Sequence, residues 1–249
     1  QFGWRNAWVV LAGIVWITLL IPALLLVRPR PEAIGLMPDG DPHQPENLNS
    51  AQARESEFSL REARRTRSFW LLLFAGWSNP LIMTALTFHQ ISLLEGKGIT
   101  AAAAAAVFGI LAPLAVVGTF TSGFLTERFT NRYLATLGQL MLAATMAWSL
   151  TIDSRMDAFI YGGLLGFSSG FLMNTFSVIW PNYFGRKALG SIRGVATTST
   201  VIAAALGPLP FGYLFDQTGD YSQAILLFMS LPAFCGLLSF FAGKPSVPA

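Results

Sequence analysis

Seven long stretches of this chain carry no Asp, Glu, Lys or Arg, and this feature constrains the fold more than any motif. They cover residues 6–27, 68–94, 98–126, 133–152, 158–185, 194–215 and 221–243. Each is 20 to 29 residues long, so all 29 charged residues fall in the remaining 78. A helix crosses the bilayer hydrocarbon with about 20 apolar residues. A soluble helix of that length would show one face to water and carry charge there. Seven such runs exclude a soluble globular domain, a secreted disulfide scaffold and a disordered chain. They also exclude an outer-membrane barrel, whose strands are short and alternate apolar with polar residues. Charged residues make up only 12% of the chain, against about 25% in an ordinary domain. The predicted fold class is all-α membrane: a polytopic transmembrane helix bundle of seven spans.

The basic residues predict orientation. Lys and Arg in short loops accumulate on the cytoplasmic side. The loops after spans one, three and five, with the tail after span seven, hold 13 of the 16 basic residues. Only Arg5, Lys97 and Arg155 lie on the other side. The start of the chain is therefore expected outside, and its end in the cytoplasm. The sequence pI near 9.3 reads as topology, because the charges hug span ends and show no nucleic-acid-binding pattern. The expected partners are the lipid bilayer and a small-molecule substrate, with no nucleic acid.

One loop differs from the rest. Residues 28–68 hold Pro29, Pro31, Pro38, Pro42 and Pro45, then Ser59-Leu60-Arg61-Glu62-Ala63-Arg64-Arg65-Thr66-Arg67. This second part is predicted to be a short basic amphipathic helix at the cytoplasmic surface, where each basic residue gains about 1 kcal/mol from anionic lipid. A linker of this length predicts a boundary. Residues 1–27 then form a helix belonging to a preceding unit, 69–243 a six-helix unit, and 244–249 a cytoplasmic tail. The chain opens on Gln1 rather than Met, which suggests a piece of a longer protein whose N-terminal half is missing.

The ends of spans three and six echo each other. Gly123-Phe124-Leu125-Thr126-Glu127 and Gly212-Tyr213-Leu214-Phe215-Asp216 stand at an offset of 89, which also aligns Gly118 with Gly207. Span three ends inside and span six outside, so spans two to seven are expected to form a three-plus-three inverted repeat, a build used by secondary transporters.

Three stretches resemble bacterial members of the major facilitator superfamily, closest to the monocarboxylate and oxalate–formate branches. Arg30-Pro31-Glu32-Ala33-Ile34-Gly35-Leu36-Met37-Pro38-Asp39-Gly40 is similar to the start of that family's central loop. Gly123 through Arg132 resembles its loop signature G-x-L-x-D-R-x-x-x-R, with Glu127 where Asp is commoner. The third runs from Tyr183-Phe184-Gly185-Arg186 through Gly207-Pro208 to Tyr221. The resemblance implies that span one is the sixth helix of a twelve-helix transporter and that spans two to seven are its C-terminal half. It also implies that the acid and bases of the Gly123, Glu127, Arg128 and Arg132 motif latch neighbouring helices and release during the transport cycle. The alternative is a set of positive-inside charges flanking a tight turn.

Few residues inside the spans can do chemistry. Asn79 and Gln90 lie about 20° apart on a helix of about 100° per residue, with His89 about 80° off that stripe. All three are candidates for lining a substrate cavity. His89 is equally readable as an interfacial histidine, and it is the one side chain in the runs that titrates near neutral pH. Pro80 predicts a kink in span two. In span five, Gly162, Gly166 and Gly170 make a close-packing stripe; Asn174, next on that stripe, either reaches the cavity or bonds a neighbouring helix. Thr197 and Thr200 are candidates from the hydroxyl run opening span six, although such hydroxyls also bond their own backbone. Arg193 reads as one more topological charge. Anion transporters resembling this group often place a base deep in the helices matching spans three or six. Neither span has one, which counts against a carboxylate substrate.

Metalloprotease, phosphate-loop and cysteine–histidine motifs are absent from the sequence, so no enzyme, cofactor or metal is expected. The predicted function is secondary transport of a small solute across the plasma membrane, of a bacterial inner membrane by resemblance, with an organic anion among the candidates. The alternative is a seven-helix receptor.

Overall fold

The computed structural model describes residues 3–26, 58–186 and 188–246. Most of the linker, with its prolines and the loop resembling the family's central one, lies outside the described residues. The chain divides into two compact units, Gln1–Arg54 and Glu55–Ala249. Among the described residues seven helices are long and apolar enough to cross a membrane: Asn6–Leu26, Arg67–Glu95, Ala101–Thr126, Asn131–Leu150, Arg155–Phe184, Leu189–Thr218 and Ser222–Phe241. They are spans one to seven, and each coincides with one uncharged run.

Span one makes up the described part of the first unit. Its middle, Trp16–Leu20, is a π-helical stretch between two α-helical parts. Pro22 accounts for this, since its ring excludes the carbonyl four residues back and the wider turn makes room. The Thr18 hydroxyl donates from this stretch to Ile14 O of the preceding α-helical part at 2.7 Å.

The second unit opens before span two. Phe58 is fully buried, its N–H donates to Phe184 O at 3.1 Å, and its ring meets that of Phe184 edge-on. Ser59 and Glu62 form a capping box over Leu60–Ala63, a single helical turn. That is shorter than the amphipathic helix expected here, because Thr66 starts a new helix by accepting from Phe69 N. Arg61, Arg64, Arg65 and Arg67 remain exposed.

Three of the six spans are interrupted: span three at Val107, between Ala101–Ala106 and Phe108–Thr126, and spans two and six where the sequence places proline. Span two divides into Arg67–Ala75 and Ser78–Glu95; Pro80 clashes with the carbonyl of Gly76, and the break falls there. The buried Gln139 of span four closes the gap, its Nε2 donating to Ala75 O at 2.8 Å while its Oε1 accepts from Ser78 Oγ. Span six divides at Gly207, where Pro208 begins the second segment at the helix position that suits proline best. Span five is continuous over 30 residues, opened by a Ser154–Asp157 capping box and closed by Gly185 at φ +74°.

Neighbour relations within the second unit follow the inverted repeat. Exchanging spans two, three and four with five, six and seven turns the pairing three–five into six–two, and four–five into seven–two. All four pairings are present, and four–seven and two–five sit on the exchange axis. The two echo glycines occupy equivalent contacts. A Cβ on Gly118 would strike Phe167 O of span five, and a Cβ on Gly207 would strike Leu81 O of span two. The Gly162, Gly166 and Gly170 stripe packs against Val107, Leu111 and Ala115 of span three, where a side chain would meet backbone at the last two positions. These glycines are where the close approach of span five to span three is encoded.

Candidate functional site

A cavity of about 420 Å³ lies among spans two, five and six, with Thr119 of span three at its edge. Spans two and six, each broken near a proline, and the continuous span five form its wall. Most of the lining is apolar, including Leu72, Leu172, Phe176 and Trp180, with a few polar groups in it: Asn174, Ser177, Arg193, Thr197 and Thr200. An apolar cavity with a few placed polar groups is the usual form of a small-molecule site. No Asp or Glu lines it among the described residues.

Among the described residues Arg193 is the only charged side chain lining the cavity. Its Nη2 donates to Ser177 Oγ at 3.0 Å, and the side chain is otherwise exposed. Thr200 and Ser199 spend their hydroxyls on the carbonyls of Thr197 and Ala196, and Thr198 on Gly194 O. Thr197 keeps its hydroxyl without a partner among the described residues. Asn174 starts a chain of bonds into the bundle. Its Nδ2 donates to Ser122 Oγ at 3.3 Å, Ser122 bonds Thr175 Oγ1 at 2.8 Å, and Thr175 donates to Phe171 O. Asn174 thus meets the cavity and ties spans five and three together at once.

The other sequence candidates lie elsewhere. Gln90 is fully buried and its Nε2 donates to Ala104 O at 3.1 Å, joining span two to span three away from the cavity. Asn79 follows the break in span two, half-buried, its Oδ1 enclosed without a partner. His89 sits near the far end of span two. The Pro208 carbonyl, 3.1 Å away, can only accept, so Nε2 carries a proton. In the neutral ring Nδ1 then accepts from Tyr221 Oη at 3.1 Å. His89 therefore pins the second segment of span six and the start of span seven. In the adjoining loop, the Asp220 carboxyl is held below its ordinary range by the Ser222 hydroxyl, with Lys97 adding to the effect.

The loop motif after span three is spread out rather than paired. Arg128 lies over the Phe124 ring at 4.0 Å, Arg132 donates to Tyr133 Oη at 2.8 Å, and Glu127 is exposed. No ion pair joins Glu127 to either arginine among the described residues. Gly123 faces Asn174, with room for a Cβ 3.7 Å from its amide nitrogen.

Any basic residue at a span end satisfies the positive-inside rule, so the sequence alone reads Arg193 as a topological charge. Only its register against Ser177 of span five reveals where it points. Gln139 carried a weak signal, a lone amide within an apolar run.

The family model for the Major Facilitator Superfamily matches residues 1–208. The chain belongs to this superfamily. Over 263 aligned residues it is 29% identical to a probable sulfoacetate transporter of Cupriavidus necator, covering 96% of this chain and 57% of that protein. Over 173 residues it is 28% identical to monocarboxylate transporter 12 of Xenopus laevis, covering 68% of this chain and 36% of that one. The chain thus spans little more than half the length of one curated relative and about a third of the other. The superfamily and both relatives are transporters, not enzymes, and the receptor alternative is disfavoured.

Proposed function

We propose that residues 69–243 are the C-terminal half of a secondary transporter that moves a small organic anion by alternating access. Span one would then close the other half, and the basic span ends would face the cytoplasm of a bacterial inner membrane. The observation that carries this reading is Arg193 in the wall of the cavity, bonded on one side to Ser177 and unopposed by any lining carboxylate. Arg193 is exposed, and a guanidinium set beside apolar surface binds carboxylate or sulfonate through paired charge-assisted bonds. The names of the two relatives support the class, since sulfoacetate and monocarboxylates are both anions. Thr197 adds a free hydroxyl, and Asn174 couples the cavity to span three. Spans three and six hold no base deep within the membrane, but a base at the start of span six serves where the cavity reaches that far.

The Glu127, Arg128 and Arg132 motif then lies where spans three and four must separate or close. Its contacts in this structure, to Phe124 and Tyr133, are those of a latch not engaged within this half. Arg132 is half-buried while Glu127 and Arg128 are exposed, and charges at such a boundary shift a two-state equilibrium when their partners change. The full-length transporter in proteoliposomes, supplied with labelled short-chain carboxylates and sulfonates, tests the proposal. Arg193→Gln should lower uptake at least about tenfold, and Arg193→Lys should restore part of it. Wild-type uptake by Arg193→Gln would overturn the reading.

A further inference from the structure

A second cavity, of about 860 Å³, lies at the same basic end of the bundle but between the ends of spans four, five and seven. The proposed transport site does not use it. Its lining is polar and cationic: Arg132 and Asn131 at the start of span four, Asn182 and Arg186 at the end of span five, and Lys244 after span seven. No Asp or Glu lines it among the described residues.

Three features make this more than a set of topological charges. Arg132 is half-buried, and its Nε is enclosed without a hydrogen-bond partner, although Nη2 reaches Tyr133. Asn131 is 6% exposed, and its side chain has no partner among the described residues. No side chain caps the start of span four, a helix of 20 residues; Tyr133 N–H turns back to Thr130 O, so the first-turn N–H groups left over are those of Asn131 and Arg132 themselves. A helix N-terminus carries partial positive charge and unpaired donors, which suits an anion. A buried, unpaired guanidinium N–H is costly unless an anion completes its bonds.

We propose that this cavity binds a phosphate group, held by Arg132, Arg186, Lys244 and the first turn of span four. Three cations match a phosphate's charge and number of acceptor oxygens better than a single carboxylate. The site lies at span ends, the depth of lipid headgroups, so the phosphate belongs either to an anionic phospholipid or to a soluble phosphate compound.

Thermal unfolding of the purified, delipidated full-length transporter in detergent distinguishes these sources. One arm adds inorganic phosphate or glycerol phosphate, with chloride at equal ionic strength as control. The other adds phosphatidylglycerol micelles, with phosphatidylcholine as control. At saturation a rise of about 3 °C is expected in one arm. A response to soluble phosphate assigns a phosphate-compound site, and a response to phosphatidylglycerol alone assigns a headgroup site. Arg186→Gln with Lys244→Gln removes two exposed side chains and should raise the half-saturating concentration at least tenfold; Arg132→Gln should do the same if it folds. Arg193→Gln should leave the response intact, which separates this site from the transport cavity. No shift with any phosphate-bearing probe, or an undiminished shift in the Arg186→Gln, Lys244→Gln variant, would overturn the proposal.

Discussion

The pairings of span three with five and of span six with two are equivalent under the inverted repeat, yet the chain uses them in opposite ways. Span five runs unbroken against span three, with Gly162, Gly166 and Gly170 set against that helix. Spans two and six are both interrupted, at Gly76–Trp77 and at Gly207, and the cavity opens beside them. One template therefore gives a rigid wall where glycines sit at four-residue steps, and a jointed wall where glycine precedes proline. Backbone freed at a joint needs a new partner inside a membrane. At Ala75 that partner is Gln139, and beside the other joint His89 bonds the Pro208 carbonyl.

The largest effect is expected where the rigid wall is tightest. Gly170→Leu would drive a side chain into the backbone of Ala115 and should cost about 3 kcal/mol, seen as a lower melting temperature and poor recovery from detergent. Wild-type stability in that variant would show that the two walls do not differ in packing. Gly207→Ala, at the joint, should cost about 1–2 kcal/mol, because the shortened second segment of span six can shift away from Leu81. Equal losses from Gly207→Ala and Gly170→Ala would erase the distinction. Replacing the tie across the other joint, Gln139→Leu, should destabilise by about 1–3 kcal/mol through the unpaired Ser78 and Ala75 groups. A neutral result there would mean that water completes the joint. The smallest effect belongs to Ser154→Ala, which removes the cap of span five and should cost about 1 kcal/mol, with uptake unchanged.

The seven spans were legible because charge in hydrocarbon is expensive, so its absence over 20 or more residues leaves few alternatives. The repeat was legible in Gly118 and Gly207 because a contact closed to any side chain constrains residue type at both copies. The candidate site was legible only in part. Asn174, Thr197 and Thr200 stood out as polar groups in apolar runs, and the structure brings them to one cavity. Asn79, Gln90 and His89 stood out equally, but a helical wheel gives shared direction and not what stands in that direction. Gln90 faces the start of span three, and His89 faces the joint of span six. Arg193 was hidden by a rule that explains every base at a span end. Its cavity position depends on how span six is rotated against span five, a property of packing between elements far apart in sequence.

The central claim is that the cavity beside the two joints holds the transported anion, and alkylation of a cysteine placed in its wall tests this most directly. In the full-length transporter freed of other reactive cysteines, Thr197→Cys should react with a small maleimide. The anion identified by uptake should slow that reaction in proportion to occupancy. Gln217→Cys, at the far end of the same span, should react at a rate the anion does not change. Protection at residue 197 and none at 217 is the predicted result; equal rates at residue 197 with and without saturating anion would contradict the account.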